Sequence, residues 1–167
     1  RLISLKWKHA FNEKNNSELN VSNSEYKFSI DYESVNPESF IFKYKINETQ
    51  ASLKFNSEVS SKHKFTYGIS SKLYNVSPGE LSPDGETSIV TPIKVDDEKG
   101  LESALFFSDK FKITEKLLLD VGARYSLYAA LGASTQKIYK EDAPKTPSTV
   151  VEEKTYGNNK VITTYGG

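Results

Sequence analysis

LLLDVGARYSLYAALGAS, residues 117–134, is the most apolar stretch of an otherwise polar chain of 167 residues, and it carries Asp120 and Arg124 in its middle. Taken at alternate positions, Leu117, Leu119, Val121, Ala123, Tyr125, Leu127 and Ala129 fall on one side. The other side takes Leu118, Asp120, Gly122, Arg124, Ser126, Tyr128 and Ala130, so both charges and the glycine share a face. A helical period would also gather Leu118, Val121, Tyr125 and Tyr128, so periodicity alone leaves helix and strand open. Context selects the strand. The turn TEK (114–116) joins the stretch to ALFFSDKFKI (104–113), and so short a connection suits two antiparallel strands.

Outward from this hairpin, Tyr and Phe sit in short alternating runs separated by clusters of Asn, Ser, Lys and Glu, the mark of an all-β chain. LISLKWKHAF (2–11) puts Ile3, Leu5, Trp7, His9 and Phe11 on one face, and NEKNN (12–16) turns the chain. SELNVSNSEYKFSIDYE (17–33) is apolar at Leu19 and Val21, then in the opposite phase at Tyr26, Phe28, Ile30 and Tyr32. That change predicts a bulge or a late strand start near Ser22–Ser24. After the turn SVNPES (34–39), FIFKYKINETQASLKFNSE (40–58) shows a similar slip near Glu48–Gln50, between Ile46 and the set Ala51, Leu53 and Phe55. FTYGISSKLY (65–74) and LESALFFSDKFKIT (101–114) complete the set. The prolines and glycines of residues 75–100 predict a long loop near 76–100 with no paired element of any length. Residues 133–167 predict a second long loop or tail, whose last part, KVITTYGG, begins another strand.

Composition narrows the function. Lys and Arg balance Asp and Glu at zero net charge and are spread along the chain, so no basic stripe points to nucleic acid. Without cysteine there are no disulfides, thiolate metal sites or cysteine nucleophile. The lack of methionine and the abrupt start RLISLKW fit a processed chain or an excised piece. No run of about 18 apolar residues offers a transmembrane helix, a test that strands crossing a membrane would escape. Connections after strands one, three and five are short and those after strands four and six long, with the short connection after strand two as the exception. The long ones count against a soluble sandwich and fit external loops opposite short periplasmic turns. A lipid-facing strand must also keep charge off one face, since a mid-membrane Arg or Lys costs about 2–4 kcal/mol. The quoted stretch does so.

The segment ESALFFSDKFKITEKLLLDVGARYSLYAALG (102–132) resembles a hairpin of TonB-dependent outer-membrane receptors of the Bacteroidetes type. In that hairpin an aromatic-rich strand ending in Asp leads through a short turn to Leu-x-Leu-x-x-Gly-x-Arg-Tyr, here Leu117, Leu119, Gly122, Arg124 and Tyr125. Ser24 and Tyr26 resemble the family's Ser-x-Tyr strand, and TYGG (164–167) a lead-in to a further strand. The resemblance implies an all-β fold over residues 1–167. It would be about six antiparallel up-and-down strands forming part of a large outer-membrane β-barrel, with long external loops and without the family's plug domain. It implies the bacterial outer membrane as location and energised nutrient uptake by the intact receptor as function. Implied partners are membrane lipid, the rest of the barrel with its plug, the TonB system and a surface lipoprotein. Neither nucleic acid nor a cofactor is implied, and the chain is not expected to be an enzyme.

On this basis Leu117, Leu119, Val121, Tyr125 and Leu127 are candidates to face lipid, and Asp120, Arg124 and Tyr128 to face the lumen. Asp120 and Arg124 either line a substrate path or, on the simpler reading, pair with neighbouring strands or the plug. They lie about 13 Å apart along one strand, so each needs a partner elsewhere. His9, at a strand end, and His63, in a turn, read as solvated or interfacial rather than metal ligands, and Asp96, Asp97 and Glu98 as a solvated charge run rather than a calcium loop. A soluble or surface-attached all-β module that binds a ligand through its long loops is the competing function class.

Overall fold

In the computed structural model, which describes residues 1–34 and 37–166, the chain is an antiparallel all-β sheet. Its strands are β1 (Leu2–Asn12), β2 (Asn15–Tyr32), β3 (Phe40–Glu58), β4 (His63–Pro83), β5 (Ile93–Lys94), β6 (Glu98–Thr114), β7 (Leu117–Leu131), β8 (Ser134–Tyr139), β9 (Val150–Tyr156) and β10 (Val161–Gly166). The main sheet runs β1-β2-β3-β4-β6-β7-β10, each strand beside its predecessor in sequence apart from β5, which pairs with β4, and the hairpin β8–β9, which forms a sheet of its own. This is up-and-down order in an open sheet, with β1 and β10 at its two edges. Val35 and Asn36 of the expected SVNPES turn, and Gly167 of TYGG, lie outside the described residues.

Three short turns stand at one end of the sheet, and each is held by a polar side chain that accepts from the backbone. Asn12 Oδ1 takes the amides of Lys14 and Asn15, both at 2.9 Å. Ser60 Oγ takes those of Lys62 and His63, both at 3.2 Å. Thr114 Oγ1 takes that of Lys116 at 3.2 Å. Side chains of this kind stand in for a backbone acceptor and favour a turn over a continued ladder, which is why NEKNN, VSSKHK and TEK reverse the chain so tightly.

The structure corrects the sequence in three places. The loop expected near 76–100 is about half strand. β4 continues to Pro83, opposite Phe40, with one register shift against β3 between Lys43 and Lys45, and Ile93–Lys94 return to pair with Leu81 and Glu80. Pro78 and Gly79 fall at that shift, where a missing N–H and a missing side chain interrupt a ladder least. Residues 133–167 hold the β8–β9 hairpin where loop was expected, while β10, which pairs with β7, is the strand expected at KVITTYGG. The bulge expected near Ser22–Ser24 is absent, because β2 and β3 pair without a shift from Asn15–Ser57 to Tyr32–Phe40. The slip in β2 and the slip in β3 instead lie opposite each other, Ser22 against Gln50 and Ser24 against Glu48.

The sheet is a single layer. Among the described residues only Ser17, Gly100, Ala104, Ala129 and Gly132 are buried, and large apolar side chains such as Leu5, Leu105 and Tyr125 are exposed. Strand pairing holds this fold together, and the apolar side chains have no second layer to pack against.

Candidate functional site

Directly opposed residues in a sheet point the same way, so the register sorts the side chains into two faces. One contains the row Trp7–Leu19–Leu53–Ile69–Leu105–Tyr125, which runs straight across six strands. Three further rows on that face bracket it, from Ile3–Asn23–Thr49–Leu73–Leu101–Ala129 to His9–Ser17–Phe55–Tyr67–Phe107–Ala123, and none of the four rows contains Asp, Glu, Lys or Arg. This apolar face lies open: Leu5 is 66% exposed, Leu105 59%, Val121 57% and Trp7 51%. Leu119, Val121, Tyr125 and Leu127 stand on it, and Leu117 continues it past the register shift next to the turn. From Leu119 to Ala129 it spans about 34 Å of strand.

The opposite face is polar and laced with ion pairs. Glu18 is flanked by the ammonium groups of Lys6 at 3.0 Å, Lys8 at 3.6 Å and Lys54 at 3.8 Å. Asp120 and Arg124 both lie here, and they do not meet each other. Asp120 reaches Lys110 at 3.7 Å, while Arg124 reaches Glu102 at 3.6 Å and donates from Nε to Ser126 Oγ at 3.1 Å. Both ion pairs join β7 to β6. Their side chains are about half exposed, so each contributes no more than about 1 kcal/mol. Glu102 also accepts from the Tyr74 hydroxyl at 3.2 Å, which ties three strands together.

Tyr128 shares this face and is opposite Glu102. Its ring lies across Gly100, where an added Cβ would come within 2.7 Å of the Tyr128 hydroxyl. It stands 6.4 Å from the ring of Tyr165 on β10. With Tyr74, Glu98, Glu102 and Gln136 it lines a cavity of ≈ 530 Å³ at the end of the sheet away from the short turns.

Several features were invisible to the sequence. His63 opens β4 rather than lying in a turn. Its Nδ1 is 2.7 Å from Asp109 Oδ2, and its ring stacks on Phe111 at 4.4 Å. Asp109 is the acidic group of the apolar face, two positions beyond Phe107 toward the turn. Its parity was legible in LESALFFSDKFKIT, but its partner was not. His9 stacks on Trp7 at 5.4 Å and meets Phe11 edge-on at 4.6 Å. The role of Glu102 depended on knowing which strands neighbour β6. Among the described residues no group of His, Asp or Glu converges as a metal site requires, and Asp97 and Glu98 stand at the rim of the cavity.

No protein-family model, no curated protein and no solved structure matches this chain.

Proposed function

We propose that this chain is a section of the transmembrane β-barrel wall of a TonB-dependent receptor in a bacterial outer membrane, where the intact receptor takes up a nutrient with energy from the TonB system. The observation that carries the proposal is the two-faced single layer. Its exposed face carries no Lys, Arg or Glu over about 26 Å of depth at a tilt of ~40°, with Asp109 held by His63 near the short turns, and a salt-bridged face stands behind it. A soluble sandwich would bury such a face against a second sheet about 10 Å away, whereas a lipid-facing wall needs none. In lipid every backbone group must be paired within the protein, which a closed sheet of strands achieves. The open edges at β1 and β10 therefore call for further strands of the same barrel. The likeness of residues 102–132 to the receptor hairpin favours this family over other barrels.

In this proposal Leu117, Leu119, Val121, Tyr125 and Leu127 face lipid, while Asp120, Arg124 and Tyr128 face the lumen, toward the plug. The wall is scaffold rather than catalyst, and the connections at the end opposite the short turns face the exterior, where a surface lipoprotein would dock on the intact receptor. Trp7 is the single tryptophan and stands 51% exposed on the apolar face. With the chain reconstituted in phosphatidylcholine vesicles, its emission should shift to the blue and be quenched by lipids brominated on their acyl chains. A chain that stays monomeric in plain buffer, melts cooperatively and is not quenched would overturn the proposal in favour of a soluble binding module.

A further inference from the structure

The two phase slips left unexplained by the fold sit at the same level of β2 and β3, and above that level the end of β4, past its register shift, and β5 continue the inverted pattern. Below that level the apolar side chains Leu19, Val21, Ala51 and Leu53 share the open apolar face. Above it the row Ile30–Phe42–Leu81–Ile93 is apolar on the opposite face, while the neighbouring row Ser29–Lys43–Glu80–Lys94 puts charge on the face that was apolar lower down. At the crossover the apolar face ends in a polar cluster: the Asn23 amide donates to Asn47 Oδ1 at 3.2 Å and to Thr49 Oγ1 at 2.9 Å. Glu25 follows, bridged to Lys27 at 3.1 Å and Lys45 at 3.2 Å.

β2 and β3 pair without a bulge and so keep strict side-chain alternation; on them the face that is apolar changes only through the sequence itself, whereas β4 changes face at its register shift. Such a change in adjacent strands at one level is what a wall requires where it passes from lipid into water. In lipid the outward face must be apolar. In water the outward face must be hydrated, and the apolar side chains turn inward. Resting on the outer-membrane proposal above, we infer that lipid contact on β2 and β3 ends at Asn23 and Thr49. The rest of β2 and β3, with the end of β4 and β5, is then a water-bathed extension about 30 Å long along the strand from Asn23 to Tyr32 at ~3.4 Å per residue, or about 23 Å tall at a tilt of ~40°. Its outer face carries Lys27, Lys43 and Lys45, and its aromatic face looks into the mouth of the barrel.

The absence of cysteine makes the test direct. Single cysteines are placed at Leu105, Val21, Lys27, Phe28 and Ser29 of the full chain in phospholipid vesicles, and at Tyr44 and Lys45 as an independent pair on β3. Each is spin-labelled, and its collisions with lipid-soluble oxygen are compared with those with a water-soluble nickel chelate. Oxygen should dominate at Leu105 and Val21, and the ratio should fall several-fold at Lys27, Ser29 and Lys45 in favour of nickel, with no return of oxygen at Phe28 or Tyr44. Oxygen dominance persisting at Lys27 and Ser29, or appearing at Phe28 and Tyr44, overturns the boundary while leaving the membrane wall intact. Loss of oxygen dominance at Leu105 and Val21 as well overturns the membrane proposal and the boundary with it.

Discussion

Leu105→Arg tests the assignment of faces most sharply, because water and lipid predict different outcomes for it. Leu105 lies midway along β6 on the apolar face, between Ile69 and Tyr125, and is 59% exposed. In water, an arginine at so open a position extends into solvent and changes stability by no more than about 0.5 kcal/mol. At the centre of a bilayer the same side chain costs about 2–4 kcal/mol, a roughly 30- to 700-fold fall in the ratio of folded to unfolded chain at ~1.4 kcal/mol per decade. The cost should depend on depth. Leu101 is about 13 Å further along the strand, about 10 Å nearer the interface at a tilt of ~40°, so Leu101→Arg should cost distinctly less. Ser70→Arg provides the control, since Ser70 lies on the polar face opposite Ser52 and Ala104, and should stay within about 0.5 kcal/mol. Guanidinium titration of the chain in phospholipid vesicles, followed by Trp7 emission, measures all three variants. Equal effects of Leu105→Arg and Ser70→Arg, or a Leu105→Arg effect below about 0.5 kcal/mol, would refute the assignment of the apolar face to lipid.

Other expectations follow from local geometry. A Cβ at Gly68 would stand 2.2 Å from the Leu53 carbonyl oxygen and 2.8 Å from the Phe106 ring, so Gly68→Ala should lower stability by about 1–3 kcal/mol in the same titration; an unchanged midpoint would show that the strands do not approach so closely. Glu102→Gln removes the Arg124 ion pair but leaves an acceptor for the Tyr74 hydroxyl. Because both partners are partly exposed, the loss should not exceed about 1 kcal/mol, and a larger loss would show that the β4–β6–β7 network is far better shielded. Glu25 is held below its ordinary value of 4.5 by the hydrogen bonds of Lys27 and then Lys45. Its stabilising effect should therefore be complete above the unfolded value and disappear as pH falls through the lower folded one. Carbon-13 NMR of the Glu25 carboxyl should show a midpoint below 4.5 that returns toward it in the Lys27→Met, Lys45→Met double variant; a midpoint already at the ordinary value would remove the bridge.

The amino-acid sequence by itself determined the six main strands, β1 to β4, β6 and β7, and their parity. Alternation in LLLDVGARYSLYAAL separated Leu119, Val121 and Tyr125 from Asp120, Arg124 and Tyr128, and the register keeps those two sets on opposite faces. The short turns were legible for the same reason, since Asn12, Ser60 and Thr114 act on amides only a few residues away. These are local effects, fixed by the period of the chain and the chemistry of neighbouring residues.

Cross-strand relations required the tertiary structure. The proline- and glycine-rich residues 75–83 form strand because β3 is long enough to pair with them, a partnership composition does not encode. Arg124 finds Glu102, and His63 finds Asp109, only once the strands are in order. The phase slips at Ser22–Ser24 and Glu48–Gln50 look in isolation like two separate irregularities; the register shows them to be one event, because they face each other across an unbroken ladder. Parity belongs to a single strand and can be read from it, whereas the level at which a sheet exchanges its apolar face belongs to several strands together and exists only after pairing.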